Sequence, residues 1–137
     1  LSLVLDTSAT MAWLYPERTT PAVDQVFLRI ELAGAWVPEL WRLEVANVLR
    51  SGMRRKRHDA FFRDAALLDL ALLPIQVDLQ VNAHAWNSTI RLSDQHSLTL
   101  YDAAYLDLAI RRALPLATLD GELRKAAEAE GVALLGI

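Results

Sequence analysis

The sequence contains no cysteine, which excludes disulfides, thiolate zinc sites and cysteine nucleophiles at once. Histidine occurs only at His58, His84 and His96, with no metal-ligand spacing among them, so these read as surface or packing residues. Proline and glycine are sparse, five of each, and fall singly; no low-complexity tract, repeat or long linker interrupts the chain. Lysine is nearly missing: of 14 basic residues only Lys56 and Lys125 are lysines. No apolar run reaches the roughly 20 residues of a membrane span, and the apolar stretch Leu1 to Leu5 is too short for a signal peptide. The expectation is a soluble, cytoplasmic protein with no membrane partner. A basic excess is also lacking. The formal net charge is −3 at pH 7, so the overall balance does not advertise a nucleic-acid partner.

What is present points to a compact fold. The 137 residues are 53% hydrophobic and 23% charged, which rules against disorder and fits one domain spanning residues 1–137. A chain of this size buries roughly two-thirds of its unfolded surface.

Short apolar runs alternate with helical patterns along the chain. Strands are expected at Leu3–Leu5, Ala35–Val37, Ile75–Val77, Leu116–Thr118 and Val132–Leu135. Helices are expected at Ser8–Tyr15, Pro21–Leu32, Pro38 to about Met53, Asp59–Leu73, Leu79–Leu92, Leu100–Ala113 and Gly121–Glu130. In the Leu79–Leu92 helix, Leu79, Ala83, Trp86 and Ile90 share one face; in the Leu100–Ala113 helix the stripe is Ala103, Leu106, Ile110 and Ala113. Near-continuous apolar strands alternating with helices indicate an α/β fold, a central parallel sheet flanked by helices, with helix outweighing strand.

Four carboxylates look wrong for such a core. Asp6 and Asp120 fall at the carboxyl ends of the first and fourth strands, where open parallel sheets carry their sites. Helix capping would explain either Asp alone, although Thr7 and Ser8 are equally able to cap the first helix. Glu44 has Leu40, Trp41 and Val48 as same-face neighbours, and Asp102 has Tyr105, Leu106 and Ala109. Burying an isolated carboxylate costs several kcal/mol or forces protonation. Pairing with arginine would answer for one such acid; for this set a shared cation is more economical. Without cysteine or suitably spaced histidine the site is hard and all-oxygen, which suits Mg²⁺ or Mn²⁺ rather than Zn²⁺. The chemistry that follows is metal-dependent phosphodiester hydrolysis.

The motifs carrying these acids resemble those of the PIN-domain family. Leu5-Asp6-Thr7-Ser8-Ala9 resembles its amino-terminal signature, Leu43 to Leu49 the helix with the second acid, Tyr101 to Leu106 the third motif and Thr118-Leu119-Asp120 the fourth. They occur in family order across nearly the whole chain, as in a single-domain VapC-type toxin. The resemblance implies a sheet of order 3-2-1-4-5 and a homodimer. It implies metal-binding Asp6, Glu44, Asp102 and Asp120, with Thr7 and Ser8 shaping the first loop and Thr118 supporting the site by its hydroxyl. Asn47, three residues after Glu44, is expected at the pocket edge. It further implies an endoribonuclease acting on RNA, often tRNA or ribosomal RNA, and a cognate VapB-type antitoxin whose carboxyl-terminal segment fills the active-site groove. Leu119 departs from the pattern, since many relatives carry a polar residue there, and bears on the number of metals.

Other readings are weaker. A haloacid-dehalogenase-type phosphatase requires Asp-x-Asp after its first strand, and here Thr7 and Ser8 follow Asp6. A response-regulator receiver also carries acids at its first strand end, but its phospho-acceptor and lysine arrangement is not found in this sequence. Within the family, a stand-alone RNA-processing nuclease and a non-catalytic scaffold binding RNA or protein remain the alternatives. The basic run Arg54 to Arg57 either meets RNA phosphates or is a solvated helix end complementing the dipole.

Overall fold

The computed structural model describes residues 1–137. Its elements are β1 (Leu3–Leu5), α1 (Thr7–Leu14), a 3-10 turn (Pro16–Arg18), α2 (Pro21–Ala33), β2 (Ala35–Pro38), α3 (Leu40–Arg54) and α4 (Ala60–Ala71). There follow β3 (Ile75–Asp78), α5 (Val81–His84), a π-helical turn (Ala85–Thr89), α6 (Ile90–His96), α7 (Leu100–Arg112), β4 (Leu116–Ala117), α8 (Gly121–Ala129) and β5 (Leu134–Leu135).

All strand pairs are parallel, and the sheet order is β3-β2-β1-β4-β5. β1 is central: Val4 lies opposite Trp36 on one side and Leu116 on the other. Leu3, Val4 and Leu5 are all fully buried, as expected for a strand covered on both faces. The chain runs from β1 to β2 to β3 in one direction and back through β4 to β5, and the right-handed crossovers that parallel sheets adopt put α1–α4 and α5–α8 on opposite faces. The direction changes between β1 and β4. At such a switch point the helices diverge and a crevice opens at the carboxyl ends of the strands.

Local chemistry sets the helix ends. Thr20, Asp59, Thr99 and Asp120 each accept a backbone N–H of the first turn of α2, α4, α7 and α8. Gly34 stops α2 at φ +78°, and a Cβ there would meet the Pro74 carbonyl at 3.0 Å. Pro38 departs from expectation: it closes β2 opposite Asp78 rather than opening α3, which begins at Leu40. Thr118, Val132 and Ala133 lie outside the strands expected to include them, because only two residues of β4 and of β5 pair.

The segment after β3 is the main correction. The helix continues past Leu92 to His96, with a π-helical turn inside it. Its apolar stripe faces solvent: Leu79 is 75% and Trp86 90% exposed. The inward face is instead Val81, Thr89 and Leu92. Apolar periodicity misleads here because polar Ser88 and Thr89 turn inward, where their hydroxyls have no partner.

α7 is buried along its length from Ala103 to Ala109, including Asp107. Asp107 accepts from Arg111 at 2.8 Å, and Arg111 also reaches Asp78, the fully buried last residue of β3, at 2.8 Å. Arg112 adds a second bond to Asp78 at 3.0 Å and lies over the Trp36 ring. Burial alone would push the Asp78 carboxyl up, but the two guanidiniums outweigh it and hold the group below the usual carboxylate range. This network ties the carboxyl-terminal half of α7 to the sheet. Asp78→Ala is expected to destabilise the protein by about 3 kcal/mol in urea denaturation, since it leaves Arg112 without a carboxylate and Arg111 with Asp107 alone. The folded-state carboxyl is depressed, so the contribution of Asp78 is present at neutral pH and is lost as pH falls below the ordinary carboxylate range.

Candidate active site

The turns that leave β1 and β4 meet at the switch point of the sheet, where hydrogen bonds join them. Asp6 is the first residue after β1 and is 5% exposed. It occupies the N-cap position of α1, yet its side chain makes no capping bond. Instead Oδ2 accepts from the Ser8 hydroxyl at 2.6 Å and from the Thr118 hydroxyl at 2.7 Å. Each of those hydroxyl oxygens accepts in turn from a backbone N–H of the turn after β4: Leu119 to Ser8 at 2.9 Å, and Asp120 to Thr118 at 3.1 Å. Leu119 thus serves the turn with its amide while its side chain packs against the core. From the opposite side, Arg124 Nη1 donates to the carbonyls of Thr118 and Leu135.

Glu44 comes from α3 and is half-buried. Its Oε1 accepts from Tyr105 Oη at 2.6 Å and from Thr7 Oγ1 at 3.0 Å. Asp120 caps α8, with Oδ2 accepting from the Leu123 amide at 2.8 Å. Asp102, half-buried, stands in the first turn of α7, whose amide donates to the capping Thr99 hydroxyl. Asn47 is exposed and hydrogen-bonds none of these residues.

Charge joins the four acids. Burial pushes the Asp102 carboxyl up to about 6, helped by repulsion from Asp6, Asp120 and Glu44. Asp6 is likewise raised, mainly by burial and further by Glu44, against the lowering effect of Ser8, Thr118 and the Thr7 amide. None of the chain's salt bridges involves any of the four. No three His, Asp or Glu side chains converge at metal-ligand spacing, so the acids meet at the range of repulsion rather than of shared coordination. The donor set is nonetheless all oxygen, held by neutral hydroxyls and amides, and short of positive charge. Those properties fit a hard divalent cation that keeps several of its waters.

Tyr105 is the participant that sequence reading passed over. It is fully buried, and burial, the Asp6 charge and its bond to Glu44 push its hydroxyl far above the usual range. A phenol on an otherwise apolar stripe, three residues after Asp102, was the available signal, since a buried tyrosine hydroxyl needs a partner. The basic run lies elsewhere: Arg54 to Lys56 are exposed at the end of α3, and Arg57 pairs with Glu17 while covering the Tyr15 ring at 3.8 Å. His58 contacts the Tyr15 hydroxyl, and His96 pairs with Glu130.

Comparison with known proteins bears on this arrangement. A family model described as PIN domain matches residues 3–129. The crystal structure of PAE2754 from Pyrobaculum aerophilum superposes with a TM-score of 0.70 at 23% identity, covering 98% of this chain and 92% of that one. That likeness is one of fold. No curated protein matches the chain.

Because the folded protein holds the Asp102 proton to higher pH than the unfolded chain does, metal-free stability falls as pH rises from about 4 to about 6, and the full penalty remains above that. Asp102→Asn is therefore expected to stabilise the metal-free protein at pH 7.5 by about 1 kcal/mol, the carboxyl being half exposed, and to leave stability near pH 4 unchanged. Thermal melts across that range, with chelator present, check it.

Proposed function

The chain belongs to the PIN-domain family, and from that premise we propose that it is a Mg²⁺- or Mn²⁺-dependent endoribonuclease, the toxin of a VapBC-type toxin–antitoxin pair. PIN domains are generally nucleases. The observation that carries the reading is the gathering of Asp6, Glu44, Asp102 and Asp120 at the sheet's switch point with mutual repulsion and no basic partner. Stability alone gives no reason for such a cluster, because each acid added raises the cost of the others.

In this reading the four carboxylates hold the cation. Held by these carboxylates, such an ion would supply a water of lowered pKa and charge neutralisation for a phosphodiester. The chain's own residues do the positioning. Ser8 and Thr118 hold one oxygen of Asp6, and the α8 amide holds one of Asp120, so neither side chain turns away from the crevice. Asp102, with a carboxyl poised near 6, is largely ionised and available to a cation at neutral pH.

The toxin assignment draws support from apolar surface. An open groove of about 300 Å³ between α3 and α4 is lined by Trp41, Val45, Leu67, Leu70, Ile75 and Val77, and suits the apolar side of an antitoxin segment. Leu79, Trp86 and Tyr101, exposed on and beside α5–α7, suit the expected homodimer contact.

Purified protein free of partner is expected to cleave a mixture of tRNA and ribosomal RNA with Mn²⁺ or Mg²⁺. Cleavage should stop with EDTA and fall at least about 100-fold in Asp102→Asn, which keeps its fold by circular dichroism. Full cleavage by that variant would sink the reading.

A further inference from the structure

Resting on that reading of the site, we propose that Tyr105 is a positioning residue: its hydroxyl, paired with that of Thr7, fixes Glu44 so that only Oε2 is presented to a cation. Three oxygens form a closed triangle. Tyr105 Oη lies 2.6 Å from Glu44 Oε1, Thr7 Oγ1 lies 3.0 Å from the same oxygen, and the two hydroxyls are 2.9 Å apart. Two hydroxyl protons serve three contacts, so Oε1 accepts from at least one hydroxyl directly, and the second proton goes either to Oε1 or to the other hydroxyl. Oε2 makes no hydrogen bond and is not sealed from solvent.

The three residues come from three helices. Thr7 opens α1, Glu44 sits in α3 and Tyr105 in α7. Of the two donors Tyr105 is the rigid one, its ring fully buried in the core, whereas Thr7 is only partly covered. A flexible glutamate on a half-exposed helix face would otherwise sample several rotamers among three like charges. Fixing one oxygen removes that freedom, keeps the side chain in the crevice against repulsion and imposes single-oxygen ligation. That mode suits a small octahedral ion with retained waters better than the bidentate contacts common with Ca²⁺.

The test measures Mn²⁺ binding by calorimetry and by loss of the free-ion electron paramagnetic resonance signal, with no reaction required. Tyr105→Phe keeps the ring and is expected to weaken Mn²⁺ binding about ten-fold. Thr7→Val should weaken it in the same sense, and Thr7→Ser, which restores the hydroxyl, should return to the parent value; a packing role alone would favour Val over Ser. In a Glu44→Gln background, Tyr105→Phe should have no further effect. Parent-like binding by Tyr105→Phe, beside weakened binding by Glu44→Gln, would overturn the positioning role of Tyr105 and leave the metal reading standing. Unchanged binding by Glu44→Gln and Asp102→Asn would overturn both. Should Tyr105→Phe fail to fold, the Val and Ser variants of Thr7 decide the question.

Discussion

The arrangement depends on one buried carboxylate oxygen. Asp6 Oδ2 takes two hydroxyl donors, Ser8 from the turn after β1 and Thr118 from the turn after β4, and both hydroxyls accept amides of the second turn. Each hydroxyl spends its single proton on the carboxylate and accepts one backbone amide. The result sews together two turns that the sheet ladder by itself holds only through short strands. It also keeps a carboxylate where burial opposes ionisation, at the point where the sheet order reverses.

The distribution of positive charge follows the same division of labour. At the carboxyl end of β3, buried Asp78 is neutralised by Arg111 and Arg112, and Asp107 shares Arg111. That cluster is closed: every charge has a partner, and its effect is to anchor α7. At the other end of α7, Asp102 faces three acids and no arginine. One helix therefore carries a satisfied ionic network at its end and an unsatisfied one at its start.

The parallel sheet, most elements and the prominence of Asp6, Glu44, Asp102 and Asp120 could be read from the chain, because apolar runs, capping residues and carboxylates on apolar stripes are local signals. The errors have equally local causes. The Leu79–Ile90 stripe satisfies helical periodicity and yet faces outward, since the same period fits a face carrying Ser88 and Thr89. Pro38 stands where a helix start and a strand end are both permitted, and pairing with Asp78 decides between them. Asn47 has suitable spacing from Glu44, but α3 turns it to solvent.

By itself the sequence determined the alternation of strands and helices, the absence of any thiolate chemistry and the identity of the acids, all properties of single residues and their near neighbours. Tertiary structure alone decided which oxygens those acids present. Thr7, Glu44 and Tyr105 are separated by 37 and 61 positions, and Asp6 and Thr118 by 112. Hydrogen bonding acts over about 3 Å, and no local pattern encodes which distant hydroxyl comes within that reach. That is settled only when the crossovers bring the carboxyl ends of β1 and β4, and the helices beside them, to one place.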